Sequence, residues 1–234
     1  MTHLISYVIF DMDGLLLDTE PFYTEAHTIL AARYGKVFDW TVKSKMIGLP
    51  AQSSARAMID SLNLPLSIEE YLEIRAPLLE ELFPKAEPLP GAVALSRRFH
   101  SMSIPQAVAT SSTQHHFDLK TSRHREWFRI FEFVITGDDP AVKRGKPNPD
   151  IFLRAARLLQ APPGKCLVFE DSPAGIEAAR AAGMFAVAVP DHNMSDSSYS
   201  NAHRIIRSLK DFDFSDWEFS PCRDRGNSRF VDPE

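Results

Sequence analysis

Five short, continuous apolar runs punctuate the chain: Tyr7-Val8-Ile9-Phe10, Ala107-Val108-Ala109, Phe133-Val134-Ile135-Thr136, Leu167-Val168-Phe169 and Phe185-Ala186-Val187-Ala188-Val189. Runs of this length that do not alternate with polar residues suit strands buried on both faces. Three of them end in chemically useful residues: Asp11 after the first, Thr110-Ser111-Ser112 after the second, Glu170-Asp171 after the fourth. Helical spacing lies between the runs, over Ala92 to His100, Asp150 to Leu159 and Pro173 to Ala182, with Gly183 placed to cap the last. Strand–helix alternation from about residue 88 onward predicts a mostly parallel α/β sheet. Right-handed crossovers then bring the strand ends to one edge, where such sheets bind ligands.

Residues 19–85 read differently. Helical patterns cover Phe22 to Tyr34, Thr41 to Met46, Gln52 to Leu62 and Ile68 to Leu82, and strand signals are missing. The expected organisation is an α/β core from 1–18 and 86–220, a helical insert over 19–85, and a polar, loose tail over 221–234.

Composition narrows the class. The chain has 234 residues, 44% hydrophobic and 24% charged, enough apolar material for a core without disulfides or structural metals. A net charge of -5 argues against non-specific nucleic-acid or anionic-membrane partners. No run is long enough to span a membrane. Two cysteines, Cys166 and Cys222, show no metal or redox spacing and fit a reducing compartment, so a cytoplasmic protein is expected. His115-His116 offers imidazoles, which suit softer ions than a carboxylate site does. Oligomeric state is not legible.

The chemistry gathers at the strand ends. Asp11 and Asp13 repel each other unless a cation intervenes, and Mg2+ prefers such oxygen ligands. Asp11 can bind the ion through one oxygen and attack through the other, while Asp13 can bind it through the backbone carbonyl and keep its side chain for acid–base work. A polar strand end is the plain alternative. Glu170-Asp171 adds two acids that are costly without a cation, although Asp171-Ser172-Pro173 also suits a helix start. Lys146, in a proline-stiffened loop, can balance phosphate charge, and Thr110 and Ser111 can bind phosphoryl oxygens. Lys120, Arg123 and Arg125 form a basic strip that reads as an anion site or, more simply, a solvated helix face.

Together, Phe10-Asp11-Met12-Asp13-Gly14, Thr110-Ser111-Ser112, Lys146 and Val168-Phe169-Glu170-Asp171-Ser172 resemble the haloacid dehalogenase superfamily. The resemblance implies a Rossmann-like core with a small helical cap after the first strand, and Asp11 as a nucleophile that becomes phosphorylated. It further implies Asp13 as acid and base, Thr110, Ser111 and Lys146 on the phosphate, and Mg2+ held by Asp11, Asp13, Asp171 and Glu170. Asp13 points to phosphoryl transfer, since dehalogenases lack this second aspartate. Gly48-Leu49-Pro50-Ala51 lacks the lysine of phosphonatases. Tyr23 and Ala51 stand where β-phosphoglucomutases carry a histidine and an arginine, although His27 lies one helical turn beyond Tyr23. His116 to His124 with Gly137-Asp138-Asp139-Pro140 looks like the pseudouridine 5′-phosphatase and plant glycerol-3-phosphatase branch. The expected activity is hydrolysis of a small phosphate monoester. A phosphomutase is the alternative, and an inactive binding protein a lesser one.

Overall fold

The computed structural model describes residues 3–47, 49 and 51–220. The expected tail, 221–234, lies outside them, as do Cys222, Gly48 and Pro50.

Six parallel strands form one sheet: β2 (Tyr7–Phe10), β3 (Gln106–Ala109), β4 (Phe133–Ile135), β5 (Cys166–Glu170), β6 (Phe185–Ala188) and β7 (Arg204–Ile205), in the order β4-β3-β2-β5-β6-β7. This is the mostly parallel sheet that the apolar runs predict. A separate parallel pair joins β1 (His3–Ile5) to β8 (Trp217–Phe219), and neither strand has a strong sequence signal.

Why β2 is continuously apolar is visible in its packing. Side chains alternate across a strand. Val8 and Phe10 enter one core cluster, with Phe99 and Phe169; Tyr7 and Ile9 enter another, with Phe152 and Val168. Phe10 stacks on Phe169 at 5.0 Å, fixing β2 against β5. Phe128 and Phe131 fall in the first cluster, and Trp127 donates its indole N–H to Ser96 at 2.8 Å. Cys166 is buried, and burial pushes its thiol up to about 12.

The chain leaves β2 for β3 on one side and reaches β5 on the other, so the switch in strand order falls at β2. The register pairs Phe10 with Val108 and with Phe169. Asp11 therefore emerges between the ends of β3 and β5, at the crevice where α/β sheets take ligands.

Residues 20–82 form four helices: α1 (Glu20–Arg33), α2 (Trp40–Lys43), α3 (Ala51–Leu62) and α4 (Ile68–Leu82). Ser67 and Glu70 close a reciprocal capping box at the start of α4. These helices share an apolar cluster of their own, including Leu30, Val42, Met58 and Tyr71. A second cluster, Ala26, Leu79, Leu82 and Phe83, packs on Leu119 and fastens them to α6 (Gln114–Thr121). The remaining helices, α5 (Ala92–Ser101), α7 (Arg125–Phe128), α8 (Asp150–Leu158) and α9 (Pro173–Ala181), belong to the sheet's surroundings. Among the described residues no helix is long and apolar enough to cross a membrane.

Candidate active site

A cavity of about 440 Å³ lies between the sheet edge and the four helices. Asp11, Asp13, Lys146, Glu170 and Asp171 line it from the sheet side. Local structure explains how such a crowd of charges fits. Gly14 has φ +75°, and a Cβ there would meet the Asp171 carboxylate at 2.4 Å, so the turn after β2 can approach β5 only as glycine. A Cβ on Gly175 would lie 2.0 Å from the Glu170 carboxyl carbon, so the first turn of α9 closes on that acid for the same reason. Ser172 caps α9 by accepting from the Gly175 N–H at 3.0 Å, and its hydroxyl donates to Glu170 at 2.8 Å. The capping role and the acidic role predicted for this turn coexist.

Asp11, Glu170 and Asp171 place one oxygen each within 4.8 Å of one another. Lys146 donates to Asp11 at 2.5 Å, to Glu170 at 2.8 Å and to the Ala109 carbonyl at 3.3 Å. One ammonium thus faces three acids. Burial and then the charge of Glu170 push the Asp11 carboxyl up to about 8, with Lys146 pulling the other way. Burial, Glu170, Asp11 and Glu20 raise Asp171 well above the ordinary carboxylate range. Burial alone would lower Lys146, but Asp11 and Glu170 outweigh it and hold the ammonium charged. The set is all hard oxygen, with more acid than base, and so fits a small divalent cation such as Mg2+.

Asp13 belongs to a second network. Its carboxylate accepts from Lys120 at 2.5 Å, Thr19 at 2.8 Å, Ser112 at 2.8 Å and Thr110 at 3.1 Å. Burial would raise its pKa, but Lys120 and the Thr19 and Ser112 hydroxyls lower it. Lys120 also donates to the Tyr23 hydroxyl at 3.0 Å and lies 4.1 Å from the centre of the Phe83 ring.

The structure divides the two readings of the basic strip: Lys120 meets an acid, and the solvated-face reading is corrected for that residue. The side chain is fully buried, whereas Arg123 is exposed and pairs with Glu87, and Arg125 is exposed. The reason is helical spacing: Phe117, Lys120 and Thr121 share one face of α6, and that face turns inward. Thr110 is placed differently from Ser111. It is fully buried with its hydroxyl on Asp13, while Ser111, Ser112 and Thr113 form the cavity wall. His115 and His116 stand outside the acidic cluster. His115 faces Glu80 at 3.3 Å, while His116 lines the cavity and is lowered to about 4 by burial and then by Lys120.

From the helical side the cavity is lined by Tyr23, His27, Lys43 and Arg75. Thr19 and Arg75 reach the site without being singled out in the sequence, whereas Lys120 belongs to the basic strip read there as an anion site or a solvated face. Arg75 has a sequence signal in hindsight, because Tyr71, Arg75, Leu79 and Leu82 form the buried stripe of α4 and a charge interrupts it.

Residues 5–183 match the haloacid dehalogenase-like hydrolase family. The chain is 48% identical to (DL)-glycerol-3-phosphatase 2 of Arabidopsis thaliana, covering 94% of each protein. It is 43% identical to the probable pseudouridine-5′-phosphatase of Drosophila melanogaster, over 89% of this chain and 91% of that one. The fold superposes on a β-phosphoglucomutase from Clostridium difficile with a TM-score of 0.73 at 25% identity, over 90% of this chain and 94% of that one. With that match over most of its length and the strand-end acids and lysine converging on one cavity, the chain belongs to the haloacid dehalogenase-like hydrolase family.

Proposed function

We propose that the chain hydrolyses a small phosphate monoester through a phosphorylated Asp11. The observation that carries this reading is the pairing of Asp11 with Lys146, with the carboxylates of Glu170 and Asp171 gathered beside Asp11 within 4.8 Å of one another. The relatives named as phosphatases support it.

Asp11, Asp171 and the Asp13 carbonyl would hold Mg2+, with Glu170 behind them. When bound, the ion offsets phosphate charge and keeps Asp11 ionised against the burial that raises it. Lys146 serves the same end from the other side, and preorganised charge of this kind supplies most catalysis of phosphoryl transfer. The Asp11 oxygen attacks phosphorus, and the ester oxygen leaves with a proton from Asp13. Asp13 then takes a proton from water, whose oxygen attacks the aspartyl phosphate and frees inorganic phosphate. As placed, Asp13 is a charged acceptor held by four donors, suited to the second step; the first requires that it gain a proton and turn from Lys120 toward the leaving group. Ser111 with its backbone amide would hold the phosphoryl oxygens, while the buried Thr110, expected on the phosphate, instead steadies Asp13 through its hydroxyl.

The helices of residues 20–82 act as the cap that excludes bulk water and contacts the leaving group. The mutase reading is weaker because Tyr23 and Ala51, which line the cavity, lack the cationic and imidazole groups of mutases. A cytoplasmic setting suits the buried free thiol of Cys166. The test is a phosphate-release screen with Mg2+ over nucleotide, polyol and sugar phosphates. Free phosphate supports hydrolysis, an isomeric phosphosugar means a mutase, and no turnover of any ester overturns the reading.

A further inference from the structure

Five buried side-chain polar atoms lack a hydrogen-bond partner among the described residues, and three of them, His27 Nε2, the Tyr71 hydroxyl and Arg75 Nε, occur in one cluster. Unpaired buried polar atoms are few in native proteins, and each calls for an explanation. Here the three residues touch. The His27 and Tyr71 rings stack at 6.3 Å, and the Arg75 guanidinium lies 5.7 Å from the Tyr71 ring centre. All three are buried, with Arg75 only 7% exposed. His27 and Arg75 line the cavity, at its helical end.

Charge makes the case sharper. Every other cation lining the cavity has an acid: Lys146 has Asp11 and Glu170, and Lys43 has Glu20 at 3.1 Å. Arg75 has none among the described residues. Burying a charged group without a partner costs several kcal/mol in stability, on the order of 3–5 when one member of a pair is removed. A chain tolerates this where a ligand completes the pairing. Toward the cavity the cluster offers a guanidinium fork and a neutral imidazole that can present an N–H, with the Tyr71 ring packed behind them. A fork of this shape matches oxygens held in one plane.

We propose that Arg75, with His27 beside it and the buried Tyr71 behind it, binds trigonal oxygen acceptors on the leaving group, the carbonyls of a heterocyclic base or a carboxylate, and so selects such esters over polyol phosphates. This inference rests on the phosphatase reading and adds the substrate class to it. Arg75 is a specificity residue, remote from the reacting phosphorus. The hydroxyls of a glycerol phosphate would leave the fork half-used, and sites built for a hydrogen bond discriminate strongly against ligands that cannot complete it.

The experiment compares the wild-type protein and the Arg75→Met variant on two groups of esters with Mg2+. Pseudouridine 5′-phosphate and 3-phosphoglycerate carry trigonal oxygens from the two sources, and glycerol 3-phosphate and ribose 5-phosphate carry hydroxyls only. The wild type should prefer one of the first pair, and which one identifies the source. R75M should lower kcat/KM for that ester at least about 20-fold more than for glycerol 3-phosphate, mainly through KM. Its melting temperature should not fall, because an unpaired buried charge is removed. Equal losses on both groups, or a lower melting temperature with the preference intact, would mean that Arg75 is structural and overturn the proposal. If no ester is turned over, the phosphatase reading fails on its own. Calorimetric binding of the same four esters to Asp11→Asn and Asp11→Asn/Arg75→Met then decides the selectivity separately.

Discussion

The two ends of the cavity are built on opposite terms. At the sheet edge, charges are dense and mutually engaged: Lys146 binds two acids, and Asp13 accepts from four donors. At the helical end, charge is sparser, and three buried polar atoms have no hydrogen-bond partner among the described residues. The difference teaches where each part of the reaction is prepared. The sheet edge carries its own counter-charges and needs only a cation and a phosphoryl group. The helical end is complementary to something it does not itself contain.

Perturbing each end should break this contrast in a characteristic way. The largest effect is expected from Asp11→Asn, which removes the nucleophile and should reduce kcat by more than about 10⁴-fold. The variant should remain folded, since an acid raised to about 8 by burial is replaced by a neutral amide. Stopped assays of phosphate release, with circular dichroism on the same sample, check both halves. Asp13→Asn should follow, with a loss of roughly 10²–10⁴-fold, the usual contribution of a positioned acid–base group. Trapping of phosphorylated Asp11 by rapid quench would separate a slow first step from a slow second one.

Lys146→Met attacks the sheet edge through stability. It leaves Asp11 and Glu170 buried without their ammonium, and the folded state should lose about 3–5 kcal/mol, read by urea unfolding without metal. Added Mg2+ should recover part of that loss, because a ligand that binds only the folded state stabilises it.

The helical end should respond to pH instead. Burial, then Arg75 and Lys43, lower His27 from 6.5 to about 3. The unfolded imidazole takes up a proton near 6.5 while the folded one stays neutral, so acid favours the unfolded chain. The stability is complete above the unfolded pKa and is lost as pH falls from 6.5 toward 3, by about 3 kcal/mol at pH ~4.5 for this single group. Unfolding free energies from pH 8 to pH 4.5 test it, and His27→Gln should flatten the slope.

Much of this protein was readable in advance, and the reasons are specific. β2 and β5 are buried on both faces, which forces unbroken apolar runs, and the acids that end them stand out by contrast. α4 was legible because apolar residues recur at helical spacing over Ile68 to Leu82. β1, β7 and β8 were not, because each of these short strands carries a polar or charged residue, His3, Arg204 or Glu218, and so shows no continuous apolar run such as the equally short β4 has. Lys120 was misread because a lysine resembles solvated surface unless its neighbours' orientation is known, and α6 reveals that orientation only after packing under Phe83.

The sequence by itself determined which groups could do chemistry. Asp11, Asp13, Lys146, Glu170 and Asp171 are marked by their place at the ends of buried strands, and that place is a local property of the chain. Only the tertiary structure decided what each group faces. Asp13 meets Lys120 across 107 positions, and Asp11 meets Lys146 across 135. Arg75 lines the cavity and pairs with no acid among the described residues. Pairing energies depend on distance and burial, and those are set by how distant segments fold together.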